Sequence, residues 1–232
     1  MLSKGAPRIM LCGRTKERGD AAVRALKQLS PSADVRFVAQ DITTPAGAKA
    51  SVDAALSAFS RVDVLVNTGG GTGMPELCHK MPIETFTDGM DGLMRGVLLP
   101  CRAVLPHMME QQGGVIINVA SDAGKTATPG ETVIGAGMAG IMMFSRALAN
   151  EAKRSGVRVN CLTPSIVRGT PLYDELMAHP FASKLFVKAE KMATLGVVEA
   201  DELGELAAFL ASPAAAKLSG QCISMNGGIS MA

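Results

Sequence analysis

Ser121 to Met143 reads SDAGKTATPGETVIGAGMAGIMM, and the reading of this stretch decides both fold and function. An apolar run, Gly114-Val-Ile-Ile-Asn-Val-Ala120, precedes it with the length and composition of a buried strand, and a long apolar helix follows it. Two readings compete. Gly135-Ala136-Gly137-Met138-Ala139-Gly140 is a literal G-x-G-x-x-G, the form of a turn that holds a dinucleotide pyrophosphate at a helix N-terminus. Such a turn needs a strand directly before it and an acidic residue about 20 positions later, at the end of the next strand, to grip the ribose. Pro129-Gly130 leaves almost no room for that strand, and the next strand ends Asn160-Cys161-Leu162-Thr163, without Asp or Glu. The other reading is preferred. The glycines open the helix of a different site, where small residues admit close approach of a backbone or a bulky ligand.

Outward from this stretch, strand and helix patterns alternate. Strands are expected at 7–12, 35–40, 62–66, 114–120, 157–162 and 221–225. Helices are expected at 15–29, 48–59, 83–90, 94–112, 135–154 and 203–211. The alternation implies βαβ units, hence a parallel sheet covered by helices on both faces: an α/β, three-layer αβα fold. With no repeat or linker, residues 1–232 are expected to form a single domain.

Lys and Arg total 23 against 21 Asp and Glu, which gives no electrostatic footprint for nucleic acid. No uninterrupted apolar run is long enough to predict a membrane span, and the N-terminus carries no export pattern. Five dispersed cysteines, Cys12, Cys78, Cys101, Cys161 and Cys222, fit reduced thiols in a cytoplasmic protein. They do not have metal-ligand spacing, and neither do His79, His107 and His179.

Several motifs, in order, resemble the short-chain dehydrogenase/reductase family across nearly the whole chain. Leu11-Cys12-Gly13-Arg14 is similar to the end of its second strand, and Asp41-Ile42-Thr43 to its adenine-contacting turn. Asp63-Val-Leu-Val-Asn67-Thr68-Gly69-Gly70 resembles D-x-L-V-N-N-A-G. Ile116-Ile117-Asn118 followed by Ser121 resembles the strand that delivers the catalytic serine. Arg158-Val159-Asn160 with Pro164, Ser219-Gly220-Gln221 and Asn226-Gly227-Gly228 resemble the closing motifs. The resemblance implies a Rossmann-like doubly wound parallel sheet.

The departures from the family pattern carry the functional reading. The family opens with a strand and a glycine-rich turn that holds the pyrophosphate. Here Leu2 to Ala6 resembles the tail of the helix after that turn, so the fold is expected to lack the first strand and Gly-rich turn. Either the second strand then closes against the fourth, or residues precede those given. The family's tyrosine and lysine positions fall on Ile134 and Met138, and its asparagine position on Leu93. Alkyl and thioether chains cannot relay a proton or donate a hydrogen bond. Ser121 is kept but vestigial. The expectation is therefore no catalytic, no cofactor-binding and no metal-binding residue in this chain.

Other polar groups near Ser121, namely Asp122, Lys125 and Glu131, could host different acid/base chemistry. Glu76 and His79 read as exposed loop residues. The segment 170–195, with Tyr173, Leu176, Phe181 and Phe186, matches the family's variable lid. Members of the family assemble through the helix after the serine strand and through the last helix and strand, here 135–150, 203–211 and 221–225. The expectation is a non-catalytic subunit in a heterotetramer with an active paralogue, which would supply the NAD site. The alternatives are a cofactor-independent isomerase or lyase and a homo-oligomeric binding protein. The tail 228–232 could reach a neighbour's pocket.

Overall fold

The computed structural model describes residues 8–69 and 73–232. The expected helix tail Leu2 to Ala6, Pro7 of the first strand and Gly70 of the third motif lie outside the described residues. The elements in order are β1 (Arg8–Gly13), α1 (Lys16–Leu29), β2 (Asp34–Ala39), α2 (Pro45–Phe59), β3 (Val64–Asn67), α3 (Asp88–Glu110), β4 (Gly114–Val119) and α4 (Thr132–Ala152). Then come β5 (Val157–Pro164), β6 (Val167–Arg168), α5 (Pro171–Ala178), α6 (Ala182–Met192), β7 (Val198–Glu199), α7 (Ala200–Ala211) and β8 (Cys222–Met225). The fold is Rossmann-like α/β.

Strands β3, β4, β5 and β8 form one parallel sheet in that order, and β1 and β2 form a separate parallel pair. Among the described residues no strand lies between β1 and β3, and the two share no ladder. The second strand of the family pattern therefore does not close against the fourth. Side chains alternate across the four-stranded sheet. Ile116, Val159 and Cys161 point into a core with Leu93, Val97 and Cys101 of α3 and Ile141 and Leu148 of α4. Val115, Ile117 and Leu162 point the other way, onto Ala207 and Leu210 of α7. Both faces are thus covered, as parallel strands require.

Two helices expected at 83–90 and 94–112 are in fact one helix, α3, preceded by the 3-10 turn Ile83–Thr85. Leu93, Val97, Cys101, Val104 and Met108 form one buried stripe along it. Continuous packing on the sheet carries the helix across residues 91–93, between the two expected helices, and past the two internal prolines, Pro100 and Pro106.

Helix α4 starts at Thr132, so the G-x-G-x-x-G lies inside a helix rather than in a strand-to-helix turn. Close packing accounts for its glycines. A Cβ on Gly135 would sit 2.7 Å from the Ala123 carbonyl oxygen. One on Gly137 would sit 3.3 Å from Met90, and one on Gly140 would sit 3.2 Å from Met94. On the facing turn, a Cβ on Gly124 would lie 2.6 Å from the Ala139 nitrogen. The 132–155 stretch is long and apolar enough to cross a membrane by composition alone. Burial of its Val133, Ile141, Met142 and Leu148 within the fold accounts for that composition.

Three sequence motifs prove to be fold-holding. Arg158 donates to the carbonyls of Leu210 (2.7 Å) and Leu218 (3.2 Å), closing the end of α7. Asn160 donates to Leu218 and accepts from the Gln221 amide. Gly227, at φ +68°, passes so close to the Gly196 carbonyl that no side chain fits there.

Gly124→Ala and Gly135→Ala should each lower stability by about 1–3 kcal/mol, because the new methyl meets backbone that cannot move aside. Gly204→Ala, whose Cβ would meet nothing within 4 Å in the interior of α7, should raise stability by about 0.5–1 kcal/mol. Thermal melts of the three variants check both signs.

A candidate site at the carboxyl ends of the strands

The carboxyl ends of β3, β4 and β5 open into a cavity of about 790 Å³. Ligands of open α/β sheets bind at this end of the strands. Val66, Val119 and Leu162 form the floor, the start of α4 one wall, α7 another, and α5 and α6 lie over it. All four positions singled out in the sequence reach this one space: Ser121, Ile134, Met138 and Leu93 line it together. The turn after β4 places Ser121, and the next helix brings Ile134 and Met138 one turn apart onto the facing wall.

Ser121 caps the 3-10 turn Asp122–Gly124, its Oγ accepting the Ala123 N–H at 3.2 Å. Asp122 is buried, and its carboxylate accepts from Asn226 Nδ2 at 2.8 Å, from Ser224 Oγ at 3.3 Å and from the Ser230 hydroxyl. Lys125 Nζ donates to the Cys222 carbonyl (3.0 Å), Ser224 Oγ (2.8 Å) and the Ala232 carbonyl (3.4 Å). Two of the three alternative acid/base candidates are thus occupied in holding the C-terminal segment. The same bonds hold Ser230 and Ala232 against Asp122 and Lys125 of their own chain.

The third candidate, Glu131, faces the cavity one helical turn before Ile134. Burial in the cavity wall pushes its carboxyl above the usual carboxylate range, and a hydrogen bond with Thr128 partly offsets this. Tyr173, the chain's one tyrosine, also lines the cavity, but its hydroxyl donates to Glu190 at 2.7 Å. Arg168 meets the same carboxylate at 3.1 Å. The tyrosine hydroxyl and the guanidinium together hold Glu190 below the ordinary carboxylate range. Glu76 accepts from the Leu77 amide, His79 is exposed, and neither lines the cavity.

Sequence reasoning missed a buried polar thread beneath the site. Asn67 Nδ2 donates to Asn118 Oδ1 (2.9 Å), Asn118 Nδ2 to Ser145 Oγ (2.9 Å), and Ser145 Oγ to the Ile141 carbonyl (2.8 Å). Cys101 joins it at Asn118 (3.4 Å), and burial pushes its thiol up to about 12. Polar residues in the middle of apolar strands, Asn118 above all, were the signal available. Outside the cavity lining, Arg14 is exposed and Asp41 accepts from the Thr43 N–H (2.9 Å) and hydroxyl (2.7 Å). These bonds first, and Arg14 after them, hold the Asp41 carboxyl low. Among the described residues no group of three His, Cys, Asp or Glu is placed to hold a metal ion.

The sequence pattern of the short chain dehydrogenase family matches residues 1–180. The chain is 31% identical over 192 residues to the 2-(R)-hydroxypropyl-CoM dehydrogenase of Xanthobacter autotrophicus, covering 82% of this chain and 76% of that protein. It is 29% identical over 231 residues to the 3-oxoacyl-[acyl-carrier-protein] reductase FabG of Chlamydia pneumoniae, covering 98% and 88% respectively. Levodione reductase superposes with a TM-score of 0.89 at 25% identity, over 98% of this chain and 89% of that one.

Glu131 gives a pH-dependent signature. Its folded pKa is raised, so between the unfolded value and the folded one the native state binds more protons than the unfolded chain. Stability contributed by Glu131 therefore falls as pH rises through that window. Glu131→Gln should flatten this slope and stabilise the protein at neutral pH. Urea unfolding at a series of pH values from acid to neutral, on both proteins, measures it.

Proposed function

This chain belongs to the short chain dehydrogenase family, a family of oxidoreductases acting on CH–OH groups, and from that membership we propose that it is a non-catalytic subunit. In this reading residues 1–232 act as one domain that supports an active, NAD-dependent paralogue in a heterotetramer inside the cell. The observation that carries the proposal is the wall of the cavity. Ile134 and Met138 stand opposite Ser121, where the family's chemistry needs a proton relay and a cation. Neither side chain can give or take a proton at neutral pH.

A dinucleotide does not fit the described residues. After β1, the space between Gly13 and Gly19 is filled by Arg14, Thr15, Lys16, Glu17 and Arg18 rather than by further glycines. The only G-x-G-x-x-G is packed inside α4 against Ala123, Met90 and Met94, so its amides are not offered to a phosphate. Ile134 and Met138 present no donor to a ribose. No redox step is therefore routed through this chain.

What remains usable is surface. Met143 on α4 and Phe209 on α7 are exposed at 61% and 45%, and β8 is an edge strand of its sheet. These are the helices and the strand that the family resemblance names for assembly. For the partner's substrate we propose a 3-hydroxyacyl thioester. One relative is named for a 3-oxoacyl group on acyl carrier protein, and the C-terminal sequence SGQCISMNGGISMA resembles that of enzymes acting on acyl-CoA thioesters. The specific case to test is oxidation of 2-[hydroxy(phenyl)methyl]succinyl-CoA to benzoylsuccinyl-CoA in toluene breakdown, where a dehydrogenase of this family has an inactive subunit.

One observation favours a second reading. Glu131 is a carboxyl with a raised pKa on the wall of a large apolar cavity, and so is suited to proton transfer without a cofactor, as in an isomerase or lyase.

Co-expression with the nearest intact sibling, followed by light scattering and turnover assays, separates the two. The expected result is a mixed oligomer whose turnover is abolished by removing the sibling's own catalytic tyrosine. Calorimetry of the isolated chain with NAD(H) or NADP(H) should show no binding. Tight dinucleotide binding by the isolated chain would overturn the proposal. Turnover by the isolated chain that is lost in Glu131→Gln would establish the second reading instead.

A further inference from the structure

The five cysteines look unrelated in sequence, but the sheet brings two of them together. Cys161 on β5 and Cys222 on β8 are register partners across a parallel ladder. Register partners project to the same face, and adjacent strands lie about 4.8 Å apart. A disulfide accepts a Cα separation of roughly 4.4–6.8 Å, so the backbone already holds this pair within range.

The two thiols differ in setting. Cys161 is fully buried, with its Sγ 3.7 Å from the Leu162 carbonyl oxygen. Cys222 is partly exposed, with its Sγ 3.9 Å from the Met142 carbonyl oxygen. Arg146 reaches the Cys222 thiol from α4, and Lys125 Nζ lies 3.0 Å from the Cys222 carbonyl. The neighbouring Cys161 thiol and then these two cations draw Cys222 down to about 6, whereas the contact with Cys222 and burial push Cys161 up. An accessible, cation-flanked thiolate beside a sheltered thiol is the arrangement of an attacking and a resolving cysteine.

We propose that Cys161 and Cys222 form an oxidisable dithiol site that takes a hydroperoxide as its two-electron oxidant and closes as a disulfide between β5 and β8. The Cys222 thiolate attacks the outer peroxide oxygen. The S–O bond forms, the O–O bond breaks, and the released alkoxide or hydroxide takes a proton from water. The Cys161 sulfur then attacks the sulfenic sulfur. The S–S bond forms, the S–O bond breaks, and hydroxide leaves with the Cys161 proton as water. Sulfur is oxidised by two electrons in total and the peroxide is reduced by two. The closed form ties β8 covalently to β5, two residues before Ser224, which holds Asp122 at the edge of the cavity.

The test treats the purified chain with hydrogen peroxide and maps peptides by mass spectrometry. The expected product joins the Cys161 and Cys222 peptides with loss of two hydrogens, leaving three of the five thiols alkylatable after denaturation. In Cys161→Ser, Cys222 should stop at a sulfenic acid trapped by dimedone. In Cys222→Ser, Cys161 should stay reduced. On the untreated protein, iodoacetamide should label Cys222 at pH values below the range of an ordinary thiol. The proposal is overturned if peroxide sufficient to oxidise Cys78 leaves Cys161 and Cys222 fully alkylatable, or if either is found linked to a different cysteine. The wild-type peptide map decides this even where a serine variant folds poorly.

Discussion

The approach of the α4 backbone to the turn that follows β4 is the constraint on which the site depends. The Gly124 backbone lies so near the Ala139 amide, and Gly135 so near the Ala123 carbonyl, that neither position tolerates a side chain. Two consequences follow from that one contact. It fixes the entry angle of α4, which carries Ile134 and Met138 into the cavity wall facing Ser121. It also requires glycine at spacings that imitate a nucleotide turn. The helix is glycine-rich because two backbones meet there, and this use of glycine needs no phosphate.

Polar anchors hold the same region from below and behind. The thread from Asn67 through Asn118 to Ser145 and the Ile141 carbonyl links β3, β4 and α4 inside an otherwise apolar core. Every buried side-chain nitrogen and oxygen among the described residues has a partner. The thread therefore pays no desolvation penalty for unpaired groups and selects one register of the strands. On the far side of the turn, Asp122 gathers Ser224, Asn226 and Ser230, so the chain's last residues are pinned where the cavity begins. A carboxylate that would read as catalytic from its place beside Ser121 is here a structural acceptor.

The sheet was the legible part of the fold, because its strands are short apolar runs with clear punctuation at Asn67, Ala120 and Pro164. Helix ends were less legible. Two helices were expected on either side of residues 91–93, yet the stripe from Leu93 to Met108 packs continuously and keeps α3 whole. The tiny β6–β7 ladder left no pattern, since two residues per strand carry no periodicity. At the site, counting along the motifs singled out Ser121, Ile134, Met138 and Leu93, and all four line one cavity. The division of labour among Asp122, Lys125 and Glu131 could not be read, because the partners that occupy the first two come from residues about a hundred positions away. The pairing of Cys161 with Cys222 was hidden for the same reason: it exists only through the register of β5 against β8.

The separation of β1–β2 from the remaining strands bears on which part of the protein the site needs. Unpaired strand edges leave amide and carbonyl groups to be satisfied by water or another strand, and among the described residues the two sheets share no ladder and meet through side-chain contacts. Helix α2 runs between them with Val52 and Phe59 buried. Arg8 donates to the Phe59 carbonyl at 3.2 Å, and Arg8 and Arg36 lie over the Phe59 ring at 5.9 and 5.3 Å. At the carboxyl ends, the Ile42 side chain comes within reach of Gly69. A dinucleotide laid across those ends would have to touch both sheets. The cavity does not: among the described residues, none before Val66 lines it. Its lining comes from β3, β4 and β5, the segments that follow them, α3, α4, α7 and the overlying α5 and α6, and the core beneath it also takes in Val52 of α2. The cavity is thus lined from one side of that divide but packed from both: Val52 of α2 shares its core, and Ile42 reaches Gly69 on its rim.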